Sequence, residues 1–309
     1  MRRRTYVRAV GGAALVGAAG CLGGTSGDGA STDDDASDGE ATGVGAWADG
    51  SIEFGLPPFE NADDLLANYR PTFRWLESGL DGVTAVEGVP TTSYSAVVES
   101  VTNGHTELAN LSPVTYVLSA SEGIHPLVLN WSHGREFYRS YVATRDGTGI
   151  ESLADVEGKT IAMVDPLSTS GGMYPRYMLS QAGLDAGGMD TEPGDFTIQW
   201  AFGHDDSLRA LQEGHVDVAA YGDFQHPDDD PSIRKVAESQ PIPFDPIVAK
   251  PDTPAEVRDA IKARLLDTPE ARLEDSRIDK FGPVEDDRYD PVRDVVTELG
   301  VELGDLDDG

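Results

Sequence analysis

The chain has 309 residues, long enough for about two compact domains, and 39% of them are hydrophobic, which supplies a core for each domain. It carries 55 acidic against 23 basic residues, a formal net charge of -32 at pH 7. That balance argues against nucleic acid and anionic membrane surfaces as partners, because both are recognised through a basic patch.

The charge also indicates the solvent in which the protein works. Only five of the basic residues are Lys. A charge of this size repels itself at low ionic strength and becomes tolerable near molar salt, where the screening length shrinks to about 3 Å. The composition therefore predicts a halophilic protein, with an acidic mesophilic protein or an acidic interaction surface as the alternatives.

The N-terminus has the layout of an export signal, with three Arg residues after Met1 and a small, apolar run over residues 9–20 that is too short to span a bilayer. The segment Arg3–Val7 resembles a twin-arginine export signal. Cys21, the only cysteine, follows small residues that resemble a lipobox, although Ala18 stands where that motif prefers Leu or Val. We predict a signal over residues 1–21 and lipidation of Cys21, a chance cysteine in a cleaved peptide being the alternative.

Residues 22–50 consist mainly of Gly, Ser, Thr, Ala and Asp in a low-complexity order. Such a segment buries too little apolar surface to offset its ordering entropy, which predicts a disordered acidic linker. Ordered structure is expected to begin at Ser51.

From Ser51 onward, segments with the pattern of strands alternate with segments that have the pattern of helices. The predicted strands are 51–56, 83–89, 108–111, 160–164, 196–201 and 216–221, and the predicted helices are 61–78, 93–103, 172–182, 205–213, 254–266 and 291–299. Pro71 predicts a break or kink in its helix. Alternation at this spacing predicts an α/β fold with parallel or mixed sheets covered by helices.

Two segments are expected to cross between two lobes. Residues 135–144 form a polar, aromatic strand before a Gly-rich turn, and residues 236–248 provide the return. A chain that leaves one lobe and comes back forms a two-strand hinge, which suits closure around a ligand. We therefore predict a first lobe over residues 51–143 plus 245–309 and a second lobe over residues 144–244.

The most informative loop has three consecutive hydroxyl residues, Ser168, Thr169 and Ser170, followed by Gly171 and Gly172 and then a predicted helix. A helix N-terminus offers unpaired N–H groups and a partial positive charge, and glycines allow close approach of a ligand. The hydroxyls add donors at the same point, so the loop can bind a tetrahedral oxyanion without a cation. An ordinary helix cap is the alternative.

Two segments, 158–175 and 202–220, resemble the phosphate, phosphite and phosphonate family of ABC transporter solute-binding proteins. The resemblance covers residues 51–270. It implies a two-lobed periplasmic-binding-protein fold of type II with discontinuous lobes, in a monomeric haloarchaeal lipoprotein on the extracytoplasmic face of the membrane. The implied partners are a small oxyanion, a permease and an ATPase, with no cofactor.

The resemblance also implies a set of ligand-binding residues. Hydroxyls and backbone amides of Ser168, Thr169, Ser170 and Gly171 would hold the oxyanion, and His204 would face the same oxygens. Tyr94 and Tyr138 would reach into the cleft, with Tyr141 as the alternative to Tyr138. Asp223 and Asp245 match carboxylates that receive a ligand amine in phosphonate binders, solvated surface residues being the alternative.

Other functions remain open at this point. A metal enzyme is disfavoured because the six histidines form no pair four residues apart, and the hydroxyl loop lacks the preceding Gly of a serine hydrolase, so we predict no enzyme. Residues 107–116 depart from the acidic pattern expected of the family, which leaves the ligand open among phosphonate, phosphite and phosphate. Thiamine-like, sulfonate or metal-oxyanion ligands are alternatives, as is a sensor or enzyme on the same fold.

Overall fold

The computed structural model describes residues 43–306. The predicted signal, Cys21 and most of the predicted linker lie outside these residues. The strands are β1 (Ser51–Leu56), β2 (Ala85–Pro90), β3 (Leu108–Asn110), β4 (His125–Ser132), β5 (Phe137–Tyr138), β6 (Ser140–Arg145), β7 (Thr160–Met163), β8 (Thr197–Trp200), β9 (Val218–Gly222), β10 (Ile233–Glu238), β11 (Ile242–Pro243), β12 (Pro246–Ala249) and β13 (Ile278–Pro283). The α-helices are α1 (Val44–Trp47), α2 (Ala62–Glu77), α3 (Tyr94–Thr102), α4 (Pro113–Ser119), α5 (Tyr174–Gln181), α6 (His204–Gln212), α7 (Ala255–Leu266) and α8 (Asp290–Glu298).

Two mixed sheets organise these elements. The first has the strand order β13-β4-β12-β3-β1-β2, and the second has the order β10-β6-β9-β7-β8. Strand β1 is parallel to β2 and β3, and β7 is parallel to β8 and β9. We call the first sheet with its helices the first lobe and the second sheet with its helices the second lobe. The α/β class predicted from the alternation of elements is confirmed.

The chain passes between the sheets twice. Strands β5 and β11, which lie on the two crossing segments, pair antiparallel as a separate two-stranded sheet, with Tyr138 opposite Ile242. This pair is the predicted two-strand hinge. Strand β6 pairs with β9 from Ser140 onward, so the chain has entered the second sheet by residue 140, four residues before the predicted start of the second lobe at residue 144.

Helix α2 shows how the first core forms. Asn61 caps its first turn, and the buried side chains recur at helical spacing. The rings of Tyr69 and Phe73 lie 5.7 and 5.4 Å from the ring of Phe54 on β1. The predicted break at Pro71 does not occur, because burial of this apolar face offsets the roughly 3 kcal/mol that a proline costs inside a helix.

Ordered structure begins earlier than the predicted linker boundary at residue 50. Helix α1 buries Val44, and Ala48 is also buried. Gly45 packs so closely on Gly82 that a Cβ at residue 45 would lie 2.3 Å from the Gly82 carbonyl carbon. The small apolar residues that made this segment resemble a linker are therefore the ones that allow it to dock.

Strand β4 was missed because it lacks the alternation used to find strands. It lies inside the first sheet between β13 and β12, and its residues 127–130 are all buried. A strand buried on both faces reads as a continuous apolar run. Among residues 43–306, no helix has the length and apolar character needed to cross a membrane.

Candidate functional site

A cavity of about 100 Å³ lies where the two lobes meet. Seven of the predicted site residues line it: Tyr94, Tyr138, Ser168, Thr169, Ser170, His204 and Asp245. The residues that sequence reasoning missed include Glu60, Tyr69, Asn130, His133, Phe224 and Arg277. The cavity is small, which suits a ligand of few heavy atoms.

Residues 168–172, which we call the hydroxyl turn, have the main-chain carbonyls of residues 168–171 bonded to donors within the protein. The Ser168 carbonyl accepts from the N–H groups of residues 172 and 173, both at 2.9 Å, and the Thr169 carbonyl accepts from residue 174. The Ser170 carbonyl accepts from the Ser140 hydroxyl at 2.7 Å. The Gly171 carbonyl accepts from the Val164 N–H at 2.8 Å. No carbonyl of these four residues is left to repel an anion.

The two glycines have a different role from the one predicted. A Cβ at Gly171 would lie 2.2 Å from a methyl group of Val164, and a Cβ at Gly172 would lie 1.9 Å from the Asp165 carbonyl oxygen. They allow the turn to pack against the end of β7, not to approach a ligand. The N–H of Gly171 is also occupied, because it donates to the Ser168 hydroxyl at 3.2 Å. The prediction that Gly171 contacts the ligand therefore finds no support in this geometry.

Donors remain on the residues of the turn that line the cavity. The N–H groups of Thr169 and Ser170 have no partner among the described residues. The Ser168 hydroxyl accepts from Gly171, and the Thr169 hydroxyl accepts from the Val114 N–H at 3.0 Å. Each hydroxyl keeps its proton and a second lone pair after these contacts. Tyr94 lies within hydrogen-bonding reach of the Ser168 hydroxyl, and Tyr138 lies within reach of the Thr169 hydroxyl. Because Val114 lies in α4 of the first lobe, its contact with Thr169 also joins the two lobes.

His204 presents a neutral donor. Its Nδ1 accepts the Gly222 N–H at 3.1 Å, so the proton of the neutral imidazole sits on Nε2. Burial, together with the charge of Arg277, lowers the pKa of His204 to about 4. At neutral pH the side chain is an uncharged N–H donor at the start of α6.

Tyr94 and Tyr138 are buried against the same turn. Burial raises the pKa of Tyr94 above its ordinary value, with the charge of Asp165 acting in the same direction. Burial likewise raises the pKa of Tyr138. Both phenols therefore keep their protons and can donate. Tyr141, the alternative to Tyr138, does not line the cavity and instead packs its ring against His226.

Asp245 brings an acidic group to the cavity. Its Oδ2 accepts from the Asn110 amide at 3.1 Å, and Oδ1 has no partner among residues 43–306. The Asn130 amide donates to the Asn110 side chain at 2.7 Å and so fixes its orientation. Burial raises the pKa of Asp245 to about 7 against the lowering effect of Asn110. The carboxyl group can therefore hold or release a proton near neutral pH.

Glu60 and Arg277 form an ion pair at the cavity, with Oε2 and an Arg277 guanidinium nitrogen 3.1 Å apart. The Glu60 side chain is 4% exposed and that of Arg277 is 46% exposed, so Arg277 lies nearer the solvent. Glu60 follows β1, and ligands bind at the carboxyl ends of parallel strands, which is the signal that could have identified it. Arg277 is the only Lys or Arg lining the cavity in the described part of the chain.

Asp223 is not at the cavity, contrary to the prediction. Its two carboxylate oxygens receive the Arg135 guanidinium at 2.7 and 3.0 Å, a bidentate pair. The carboxylate side chain is only 3% exposed. Asp223 is therefore occupied by Arg135 and has no free oxygen for a ligand amine.

The sequence matches the profile of a family described as the periplasmic substrate-binding protein of the phosphonate ABC transporter, over residues 54–289. It is 34% identical over 174 residues to the phosphate-import protein PhnD of Mycolicibacterium smegmatis, an alignment that covers 54% of each protein. The chain thus spans about half the length of this curated relative.

Solved structures share the fold. The structure is similar to PhnD1 of Prochlorococcus marinus in complex with methylphosphonate, with a TM-score of 0.68 and 16% identity over 81% of this chain and 98% of that one. It is also similar to a binding component of a phosphonate ABC transporter from Pseudomonas aeruginosa, with a TM-score of 0.67 and 18% identity over 81% and 86%. At these identities the likeness confirms the two-lobed fold of periplasmic binding proteins.

Replacing Asp245 with Asn should stabilise the folded protein near neutral pH. Because the pKa of Asp245 is raised on folding, the unfolded chain loses this proton first, and wild-type stability falls as pH rises from about 4 to about 7. Above pH 7 the variant should be more stable by on the order of 2 kcal/mol, less than the shift alone implies, because the cavity hydrates the carboxylate. Denaturant unfolding at pH 4.5 and pH 8 checks this, and an equal stability difference at both pH values would contradict it.

Proposed function

The chain belongs to the family of periplasmic phosphonate-binding proteins of ABC transporters, and we propose that it captures a small phosphorus oxyanion for import. The observation that carries the proposal is the set of uncharged donors at one end of the cavity. Thr169 and Ser170 contribute N–H groups, the hydroxyl turn contributes hydroxyls, and His204 contributes Nε2–H. Several convergent donors can replace the water shell of a tetrahedral oxyanion without a paired cation.

Asp245 supports phosphorus over sulfur in the bound oxyanion. Asp245 lines the same cavity as the donors, so a fully ionised anion beside an ionised carboxylate would be repelled. A phosphonate or phosphate holds a proton that titrates near neutral pH, and one proton shared with Asp245 removes the repulsion. A sulfonate carries no such proton and would need Asp245 to take one up from solvent, which disfavours the sulfonate alternative above about pH 7.

Aromatic side chains, which we call the aromatic wall, also line the cavity, and they support a small apolar substituent on phosphorus. The aromatic wall consists of Phe59, Phe224, Phe244 and Tyr69. An aminophosphonate was predicted to place its amine between two carboxylates, Asp223 and Asp245. Because Asp223 pairs with Arg135, only one of the two remains for the amine. We therefore favour a short alkylphosphonate such as methylphosphonate, with phosphite and phosphate as smaller ligands of the same site.

The cellular setting is part of the same proposal. We infer that the mature protein is tethered through Cys21 at the extracytoplasmic face of the membrane, acts as a monomer and delivers its ligand to a permease driven by an ATPase. We propose that the two lobes close on the ligand. Their limits are the predicted ones, except that the first crossing lies at residue 139. The acidic surface supports function in high salt.

Isothermal titration of the full chain in molar salt tests the ligand. Methylphosphonate should bind, and methanesulfonate, which has the same shape without a titrating proton, should bind at least about tenfold more weakly. Replacing Ser168 and Ser170 together with Ala should weaken methylphosphonate binding by at least about tenfold, because a hydrogen bond to a charged group contributes roughly 1.5–3 kcal/mol.

The matched control is Ser180→Ala, an exposed serine on α5, which should bind like the wild type. Phosphite, phosphate and 2-aminoethylphosphonate complete the series. Failure of every phosphorus ligand to bind, or unchanged affinity in the double variant, would contradict the proposal.

Lipidation of Cys21 is tested by detergent phase partitioning of the protein expressed in a host that exports it. The wild type should enter the detergent phase, and Cys21→Ser should stay in the aqueous phase because a lipid chain on the sulfur supplies the membrane affinity. The intact mass of the mature protein should show a lipid-sized increase. A wild type that stays in the aqueous phase would overturn the anchor.

A further inference from the structure

The ring of Phe224 is the part of the aromatic wall that lies beside Tyr138 and His204. Phe224 lies in the turn that follows β9, and its ring lines the cavity. The ring centroid is 5.8 Å from the rings of both Tyr138 and His204. On its other side it stacks on His133, at 6.0 Å and an interplanar angle of 7°. The ring therefore touches residues of both lobes beside the two donors.

The absence of a side chain at residue 222 makes the position of the Phe224 ring possible. A Cβ on Gly222 would lie 2.5 Å from the tip of the Phe224 ring, which is too close for any real contact. The backbone of Gly222 is in the extended region, with φ at -70°, so its conformation does not require glycine. Glycine is needed at residue 222 because the ring folds back over it, next to the N–H that donates to His204.

The residue before Phe224 is anchored as well. The buried carboxylate of Asp223 forms its bidentate pair with Arg135, and the Asp223 N–H donates to the Arg139 carbonyl at 2.9 Å. The side chain and the backbone of Asp223 are both held, which restrains the backbone at Phe224. The contacts of the ring with Tyr138, His204 and His133 then limit its rotation.

We propose that Phe224 determines the size of the substituent on phosphorus, an inference that rests on the proposed function. With the oxyanion at the hydroxyl turn and at His204, the fourth substituent points away from those donors, toward the aromatic wall. The restrained Phe224 ring leaves room there for a hydrogen, a hydroxyl or a methyl group and excludes a phenyl group. Asp223, Arg135 and Gly222 act as positioning residues for the ring.

The test compares methylphosphonate with phenylphosphonate by isothermal titration of the full chain in molar salt. The wild type should prefer methylphosphonate by well over about tenfold, since even one methylene can change discrimination in an apolar pocket by that factor. Phe224→Ala opens a space of the size of a phenyl ring, so the preference should fall by at least about tenfold. The control is Phe202→Ala, because Phe202 is 72% exposed and outside the cavity lining.

Gly222→Ala provides a second variant, which keeps the Phe224 ring but places a methyl group where that ring packs. It should weaken methylphosphonate binding by about tenfold without admitting phenylphosphonate. An unchanged ligand preference in Phe224→Ala, with native circular dichroism and retained methylphosphonate binding, overturns this inference alone. A wild type that binds no phosphorus ligand counts against the proposed function instead, so the two failures are distinguishable.

Discussion

The rest of the site depends on where the backbone of the hydroxyl turn directs its carbonyl groups. Buried carbonyls need donors, and the carbonyls of residues 168–171 find them in the chain itself, on β6, β7 and the start of α5. The N–H groups of Thr169 and Ser170, which have no partner among the described residues, belong to residues that line the cavity. The proposed anion site therefore depends on a satisfied backbone, and the two glycines permit the close packing of the turn against the end of β7.

An anion site built from neutral donors fits a protein with a formal net charge of -32. The cavity does not rely on long-range attraction, which molar salt would screen. His204 is held neutral by burial, and Tyr94 and Tyr138 keep their protons for the same reason. Asp245 then adds the one group that can exchange a proton with the ligand near neutral pH. The Val114 contact with Thr169 joins the two lobes at the hydroxyl turn.

Most of the architecture was predictable because its elements repeat at regular spacing, and the hydroxyl turn was predictable because three hydroxyls before a helix are uncommon. Strand β4 was not, since burial on both faces removed the alternation that identifies strands. The ion pair of Asp223 was not predictable either, because its partner Arg135 is 88 positions away in the chain. A single sequence also could not place Glu60 beside Arg277. The two missed ion pairs are contacts between residues far apart, which local patterns do not encode.

The most direct test of the account is a crystal structure of the protein with methylphosphonate. The account predicts phosphonate oxygens within hydrogen-bond distance of the N–H groups of Thr169 and Ser170 and of His204 Nε2, with the methyl carbon toward the Phe224 ring. Phosphonate bound away from the hydroxyl turn, or bound there with a carbonyl of the turn facing it, would contradict the account.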